Sequence, residues 1–116
     1  MLDTNAVLYL LGGRLAEPLE VAQYYVSVIS EMELLSYPGL TDAAEDQIRS
    51  FLQSVTVVPL TPDVKTAAIA LRRKHALKLP DAIIAASAIV LDAELLSNDR
   101  QLLASAPVRA RALALK

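Results

Sequence analysis

Short strand-like segments alternate with helical segments along this sequence, and this alternation constrains its fold most strongly. The pattern predicts strands over residues 24–29, 55–60, 94–97 and 108–115. A further buried strand is expected at the very start, directly before Asp3. Strands that alternate with helices typically lie parallel in one sheet, with helices on both faces. We therefore predict an α/β fold of three layers, α/β/α, with a central, mostly parallel sheet.

The helical segments carry recognisable start and stop signals. Residues 6–11 end at two glycines, and residues 31–36 end before a Pro-Gly pair. Thr41 and Thr61 are suited to cap the helices that follow them. The segment that begins at Pro80 continues as AIIAASAIVL, which is apolar on nearly all sides. Such a helix is expected to be buried.

Composition excludes several classes of protein. The chain has 116 residues, which suits a single domain over residues 1–116, and its 54% hydrophobic content excludes a disordered protein. No apolar run approaches the ~18 residues that a membrane-spanning helix needs. The sequence contains no cysteine, so a disulfide scaffold, a zinc knuckle, an iron–sulfur site and a thiol nucleophile are excluded. We expect no membrane association, and with no secretory signal in the sequence we expect a cytoplasmic protein.

Charge limits how this chain could bind nucleic acid. The formal net charge is −2, and proteins that hold nucleic acid on a broad basic face are usually more basic. Any contact must be local, or a metal must supply positive charge. The basic stretch 72–75 is either a solvated helix end or a local phosphate-binding patch. Tyr24 and Tyr25 are expected in the sheet and core, whereas Tyr37 remains open as a residue that could stack on bases.

Four acidic residues occupy the positions at which a parallel sheet binds ligands. Asp3, Glu33 and Asp99 follow predicted strands, and Asp81 opens the buried helix. Ligands of open α/β sheets bind beyond the carboxyl ends of the strands. Each residue alone has a simpler explanation, as a helix cap, a solvated helix residue, an acid favoured by a helix dipole or a turn residue.

Together the four carboxylates predict a metal site. Carboxylates that converge repel one another, and a divalent cation removes that conflict. A site without histidine or cysteine suits Mg²⁺ or Mn²⁺ rather than Zn²⁺. Such ions polarise a phosphoryl oxygen and prepare water for in-line attack, so the pattern points to phosphodiester hydrolysis. Some neighbouring polar residues are candidates to orient the acids, or are simply cap and turn residues: Thr4, Asn5, Ser97 and Asn98.

Four segments together resemble a known family. In order along the chain they read LDTN, SVISEMELL, LPDAIIAASA and LLSNDRQL. They resemble a PIN domain of the type found in VapC toxins, and the resemblance covers essentially the whole chain. Two features depart from the family pattern: only Met1-Leu2 precede the first aspartate, and the closing helix has QLL where a Phe is usual.

The resemblance implies a metal-dependent ribonuclease whose catalytic residues are Asp3, Glu33, Asp81 and Asp99. Asp3, Asp81 and Asp99 would be the main metal ligands. Glu33 would complete the site through a metal-bound water or help to activate the attacking water. Glu31 competes with Glu33 for the second acidic position, and Glu33 is preferred because the family pattern places this acid directly before a leucine.

The resemblance also implies partners and products. RNA would be cut to leave a 3′-hydroxyl and a 5′-phosphate, the chain would form a homodimer, and an antitoxin protein would cover the active-site groove. Two alternatives remain open. One is a PIN-like binding or scaffold module without activity. The other is an α/β phosphoryl-transfer domain such as a receiver domain or a phosphatase, which Thr4 and Asn5 disfavour because they stand where an Asp-x-Asp string would be expected.

Overall fold

Helices and short strands alternate in the structure, a computed structural model that describes residues 1–104 and 107–116. The predicted order of elements is confirmed. Along the described residues the elements are α1 (Thr4–Leu11), β1 (Tyr25–Ser27), α2 (Val28–Leu35), α3 (Asp42–Gln53), β2 (Thr56–Val58), α4 (Pro62–Lys74), α5 (Leu79–Val90), β3 (Leu95–Leu96), α6 (Arg100–Ala104) and β4 (Ala110–Arg111).

The strands form one parallel sheet that is joined in the middle by Leu2. β1 pairs in parallel with β2, and β3 pairs in parallel with β4. Leu2 makes parallel bridges to both Val26 and Leu96, so it connects the two pairs. Its N–H donates to the carbonyl of Tyr25 at 2.9 Å, while the N–H of Leu96 donates to the carbonyl of Met1 at 2.7 Å. The sequence predicts a buried strand at the start of the chain, and Leu2 takes that place between the two strand pairs through its two isolated bridges.

Helices cover both faces of this sheet, because successive residues of a strand point to opposite faces. Met1 and Leu95 pack with α4, α5 and α6 on one face. Leu2 and Leu96, their immediate neighbours, pack with α1, α2 and α3 on the other. The predicted three-layer α/β/α architecture is confirmed.

Helix α5 is the most deeply buried helix among the described residues. Its residues 82–88 are all buried, and three of its alanines are completely inaccessible to solvent. Small side chains let neighbouring backbones approach closely, and α5 packs mainly along α4. The predicted buried helix is therefore confirmed. Among the described residues, no helix combines the length and the apolar character needed to cross a membrane.

The boundary between β1 and α2 differs from the prediction. The sequence predicts a strand over residues 24–29, but α2 already begins at Val28. The Ser27 hydroxyl accepts a hydrogen bond from the N–H of Ile29 at 3.1 Å and so caps the helix. The assignment of Val28 and Ile29 to the strand was wrong, since this cap outweighs the strand preference of two β-branched residues. Glu33 consequently lies in the second turn of α2.

The last strand is shorter than predicted. Residues 108–115 were expected to be extended and paired, but β4 covers only Ala110–Arg111. Its partner β3 has two residues and offers no longer edge. Further along, Leu115 makes an antiparallel bridge with Leu15 instead.

Candidate functional site

The four acidic residues singled out from the sequence line one groove at the carboxyl ends of the strands. Asp3, Glu33, Asp81 and Asp99 all contribute to its wall, and its volume is about 350 Å³. The other residues that line it are Thr4, Asn5, Ser36, Tyr37, Pro38 and Ile84. The groove thus brings together side chains from the first strand, α2, α5 and the loop after β3.

Asp3 lies at the bottom of this groove and is only 5% exposed. It is the N-cap of α1, where its Oδ1 accepts a hydrogen bond from the N–H of Ala6 at 2.8 Å. Burial raises the pKa of Asp3, and the nearby Asp99 and Glu33 raise it further, while hydrogen bonds from Ser97 and Ala6 oppose the change. A positive charge placed near Asp3 would therefore stabilise the ionised form of this carboxylate.

Ser97 connects Asp3 to Asp99. It is completely buried, its Oγ accepts the N–H of Asp99 at 3.0 Å, and its hydroxyl acts to lower the pKa of Asp3. Asp99 in turn caps α6, since its Oδ1 accepts hydrogen bonds from the N–H groups of Gln101 at 2.8 Å and Leu102 at 3.2 Å. One buried hydroxyl thereby acts on two of the four acids.

Asp81 enters the groove from the first turn of α5. Burial raises the pKa of Asp81, and the negative charges of Asp99, Asp3 and Glu33 add to the rise, with Lys78 acting in the opposite direction. All three other acids therefore act on Asp81 in the same sense.

Glu33 is held at the groove wall by Thr4. The Thr4 hydroxyl lies 2.7 Å from Oε1 of Glu33 and 2.9 Å from the Ser30 hydroxyl. A hydroxyl has a single proton, and a carboxylate is the stronger acceptor, so Thr4 donates to Glu33 and accepts from Ser30. Glu31 does not line the groove. Two residues along a helix correspond to a rotation of about 200°, so Glu31 and Glu33 face nearly opposite directions.

The donor set fits a partly hydrated hard cation. Its charged groups are all carboxylates, and neither lysine nor arginine is among the described residues that line the groove. Within residues 1–104 and 107–116, however, no group of three or more His, Asp or Glu side chains is arranged so that it could hold an ion. Mg²⁺ commonly binds through one or two carboxylates and keeps several waters, so it does not require a preformed protein cage. The assignment of Asp3, Asp81 and Asp99 as direct ligands stays a prediction.

The predicted polar neighbours divide into two groups. Thr4, Asn5 and Ser97 lie at or beneath the groove, in the contacts given above. Asn98 does not join them: its Nδ2 donates to the carbonyl of Leu113 at 3.0 Å, and its Oδ1 accepts the N–H of Leu113 at 2.8 Å. Asn98 therefore holds the C-terminal segment beside the sheet.

Basic and aromatic residues also lie in different places. The stretch 72–75 covers the end of α4 and does not line the groove, so the alternative of a phosphate-binding patch at the acidic site finds no support. Tyr24 and Tyr25 pack against the two cores, as expected. Tyr37 does line the groove, together with Ser36 and Pro38, two residues that the sequence interpretation missed. The Pro-Gly break shortly after Glu33 was the available signal, because a chain that turns there stays near the acid.

Comparison with known proteins places this geometry in context. The family profile described as "PIN domain" matches residues 1–107. Among curated proteins, no sequence matches the chain. A solved toxin-antitoxin complex from Klebsiella pneumoniae contains a chain of 30% identity and TM-score 0.78, with 95% of this chain and 93% of that chain covered.

More distant structures share the fold. VapBC2 from Rickettsia felis, bound to a DNA fragment from its promoter, matches with 16% identity and TM-score 0.79, covering 97% of this chain and 98% of that chain. VapBC-1 from nontypeable Haemophilus influenzae matches with 19% identity and TM-score 0.72, covering 97% and 96%. At these identities the likeness concerns the fold alone.

Proposed function

This chain belongs to the PIN domain family, and we propose that it is a metal-dependent endoribonuclease, the toxin of a toxin–antitoxin pair that acts in the cytoplasm. One observation carries the proposal. Asp3, Glu33, Asp81 and Asp99 come from four separate parts of the chain and line one groove, where the charges of Asp99 and Glu33 raise the pKa of both Asp3 and Asp81. Perturbed carboxylates that converge in a cleft are typical of catalytic sites.

The negative charge of the four carboxylates favours a bound metal ion in the groove. Asp3, Asp81 and Asp99 would hold Mg²⁺ or Mn²⁺, and Ser97 interacts with both Asp3 and Asp99. A bound divalent cation polarises a phosphoryl oxygen and offsets the negative charge of the phosphodiester. The carboxylates alone would repel RNA, so substrate binding and metal binding are expected to be linked.

Glu33 has the position of a proton acceptor. Its Oε1 is fixed by the Thr4 hydroxyl, and the side chain borders the same groove as the three aspartates. We propose that Glu33 accepts a proton from the attacking water. This water attacks phosphorus in line with the bond to the 3′-oxygen. That bond then breaks, the 3′-oxygen takes up a proton, and the products carry a 3′-hydroxyl and a 5′-phosphate.

Two protein partners complete the proposal. One is an antitoxin, supported by the toxin-antitoxin complex that resembles this chain and by an apolar pocket of about 440 Å³ beside the groove, lined in part by Leu8, Leu11 and Ile48. The other is a second copy of this chain. Ile69 and Leu79 are more than half exposed and border one surface pocket, which Arg72, Arg73 and His75 also line, and a homodimer would cover these two apolar side chains.

A specific observation favours the second candidate function, a PIN-like binding module without activity. No ready-made cluster of three metal ligands exists among the described residues. An inactive module would show no metal-dependent cleavage, whereas a ribonuclease would assemble its site when the cation arrives.

Cleavage assays separate the two candidates. Purified protein is incubated with structured and single-stranded RNA in Mg²⁺, Mn²⁺ or EDTA, beside the variants Asp81→Asn and Asp63→Asn. The second variant is a matched control, because Asp63 also follows a proline in the first turn of a helix but is exposed at the surface. We expect cleavage that needs the metal, persists in Asp63→Asn and disappears in Asp81→Asn. Cleavage that survives both EDTA and Asp81→Asn would contradict the proposal, and no cleavage with either metal would favour the inactive module.

A further inference from the structure

Tyr37 stands at the rim of the acidic groove with much of its side chain free. It lines the groove and also the adjoining apolar pocket, and it is 49% exposed. It is the aromatic residue among the described residues that line the groove. A half-exposed aromatic ring beside a catalytic groove offers an apolar face that the fold itself does not use.

A tight turn fixes the position of Tyr37. The N–H of Leu40 donates to the carbonyl of Tyr37 at 3.2 Å, with Pro38 and Gly39 between them. Gly39 has φ +78°, and a proline followed by a residue with positive φ is the pattern of a type II β-turn. Tyr37 is therefore the first residue of a hydrogen-bonded turn.

The negative charge of the groove explains why an aromatic ring at its rim would help to bind RNA. The charged lining residues of the groove are all acidic, so the lining offers a phosphodiester no basic partner. Contacts that do not depend on charge can still add affinity for RNA there. Stacking of a base on an aromatic ring supplies about 1–3 kcal/mol per base and requires no basic side chain.

We propose that Tyr37 binds the substrate by stacking on an unpaired nucleobase next to the scissile phosphate, an inference that rests on the proposed ribonuclease function. In a duplex, each base is already stacked on its neighbours and the ring has no free base face to cover. An unstacked base in a loop or single strand does present one. The Tyr37 contact therefore requires that this base lie in a single strand or an unpaired loop.

The test uses a short RNA that the unmodified chain cleaves at one position. KM and kcat are measured for the unmodified chain, Tyr37→Ala, Tyr37→Phe and Met32→Ala, each shown to be folded by its thermal midpoint. Met32 is the matched control, because it is 59% exposed on α2 and does not line the groove. Loss of one stacked base should raise KM about fivefold or more in Tyr37→Ala with kcat unchanged, while Tyr37→Phe keeps its ring and its KM.

Abasic substrates identify the contact itself. Removal of the flanking base that stacks on Tyr37 should raise KM for the unmodified chain as much as Tyr37→Ala does, and should add nothing in that variant. Because stacking releases no counterions, the KM ratio of Tyr37→Ala to unmodified chain should not change with salt concentration.

Three results would overturn the inference while leaving the ribonuclease proposal intact: an unchanged KM in Tyr37→Ala, an equal rise in Tyr37→Phe, or an abasic penalty that persists in full in Tyr37→Ala. In each case cleavage would still be lost in Asp81→Asn. If the unmodified chain cleaves no RNA with either metal, the function and the inference fall together.

Discussion

Ser97→Ala tests how the groove is built, because Ser97 is completely buried and serves two acids at once. Its Oγ accepts the N–H of Asp99, and its hydroxyl acts to lower the pKa of the Asp3 carboxylate. Alanine removes both contacts without adding bulk. The N–H of Asp99 and the Asp3 carboxylate then each lose a partner in a poorly hydrated place.

The expected magnitude follows from the hydrogen bond to the N–H of Asp99. A buried donor that is left without its partner costs about 1–3 kcal/mol, so Ser97→Ala should lower the free energy of unfolding by about that amount. For a domain of this size, 1 kcal/mol corresponds to roughly 4 °C, which gives a fall in Tm of roughly 4–12 °C. Asp3 and Asp99 also lose the side chain that interacts with both of them, so we expect weaker metal binding as well.

Ser87→Ala is the matched control. Ser87 is equally buried, but its hydroxyl donates at 2.8 Å to the carbonyl of Ile83, a group that already belongs to the backbone of α5. Both variants are unfolded thermally in EDTA and followed by circular dichroism. If Ser97→Ala loses no more stability than Ser87→Ala, the link between Asp3 and Asp99 does not have the strength described above.

Two further predictions concern pH and the C-terminal segment. Burial and mutual repulsion raise the pKa of Asp3 and Asp81 in the folded chain, so the folded state holds these protons more tightly than the unfolded chain does. The free energy of unfolding of the metal-free protein should therefore fall as the pH rises from the ordinary aspartate pKa of 3.8 through the raised values. Denaturant titrations at several pH values should show a smaller fall for Asp81→Asn than for the unmodified chain. An equal fall in the two proteins would contradict this coupling. Asn98→Ala removes both hydrogen bonds to Leu113, so it should lower Tm by roughly 4–12 °C. At temperatures where the variant is folded, its kcat should equal that of the unmodified chain. A large fall in kcat would instead place Asn98 in the active site.

Much of the fold can be predicted from the sequence because its layers follow from local patterns. Alternating strand and helix signals predict the parallel sheet, and the apolar segment after Pro80 predicts the buried helix α5. The errors arise where two local preferences compete. Val28 and Ile29 favour strands, yet Ser27 caps a helix directly before them.

The candidate site was predictable only in part. Parallel strands end at one edge of a sheet, so Asp3 and Asp99 could be expected to meet there. Glu33 rather than Glu31 was chosen by family resemblance, and the helix geometry gives a physical reason for that choice. The loop that brings Tyr37 to the groove has no periodicity that reveals its path. Likewise, nothing in the sequence distinguishes the role of Asn98 from that of Ser97, because only the structure shows which backbone groups each one meets.

We propose that the four carboxylates of the groove form a site for a hard divalent cation. Isothermal titration of the metal-free chain with Mn²⁺ tests this claim without any RNA. We expect saturable binding to the unmodified chain and to Asp63→Asn, and its loss in Asp3→Asn and Asp81→Asn. Equal Mn²⁺ affinity in Asp81→Asn and in the unmodified chain, or no binding to the unmodified chain, would contradict the account.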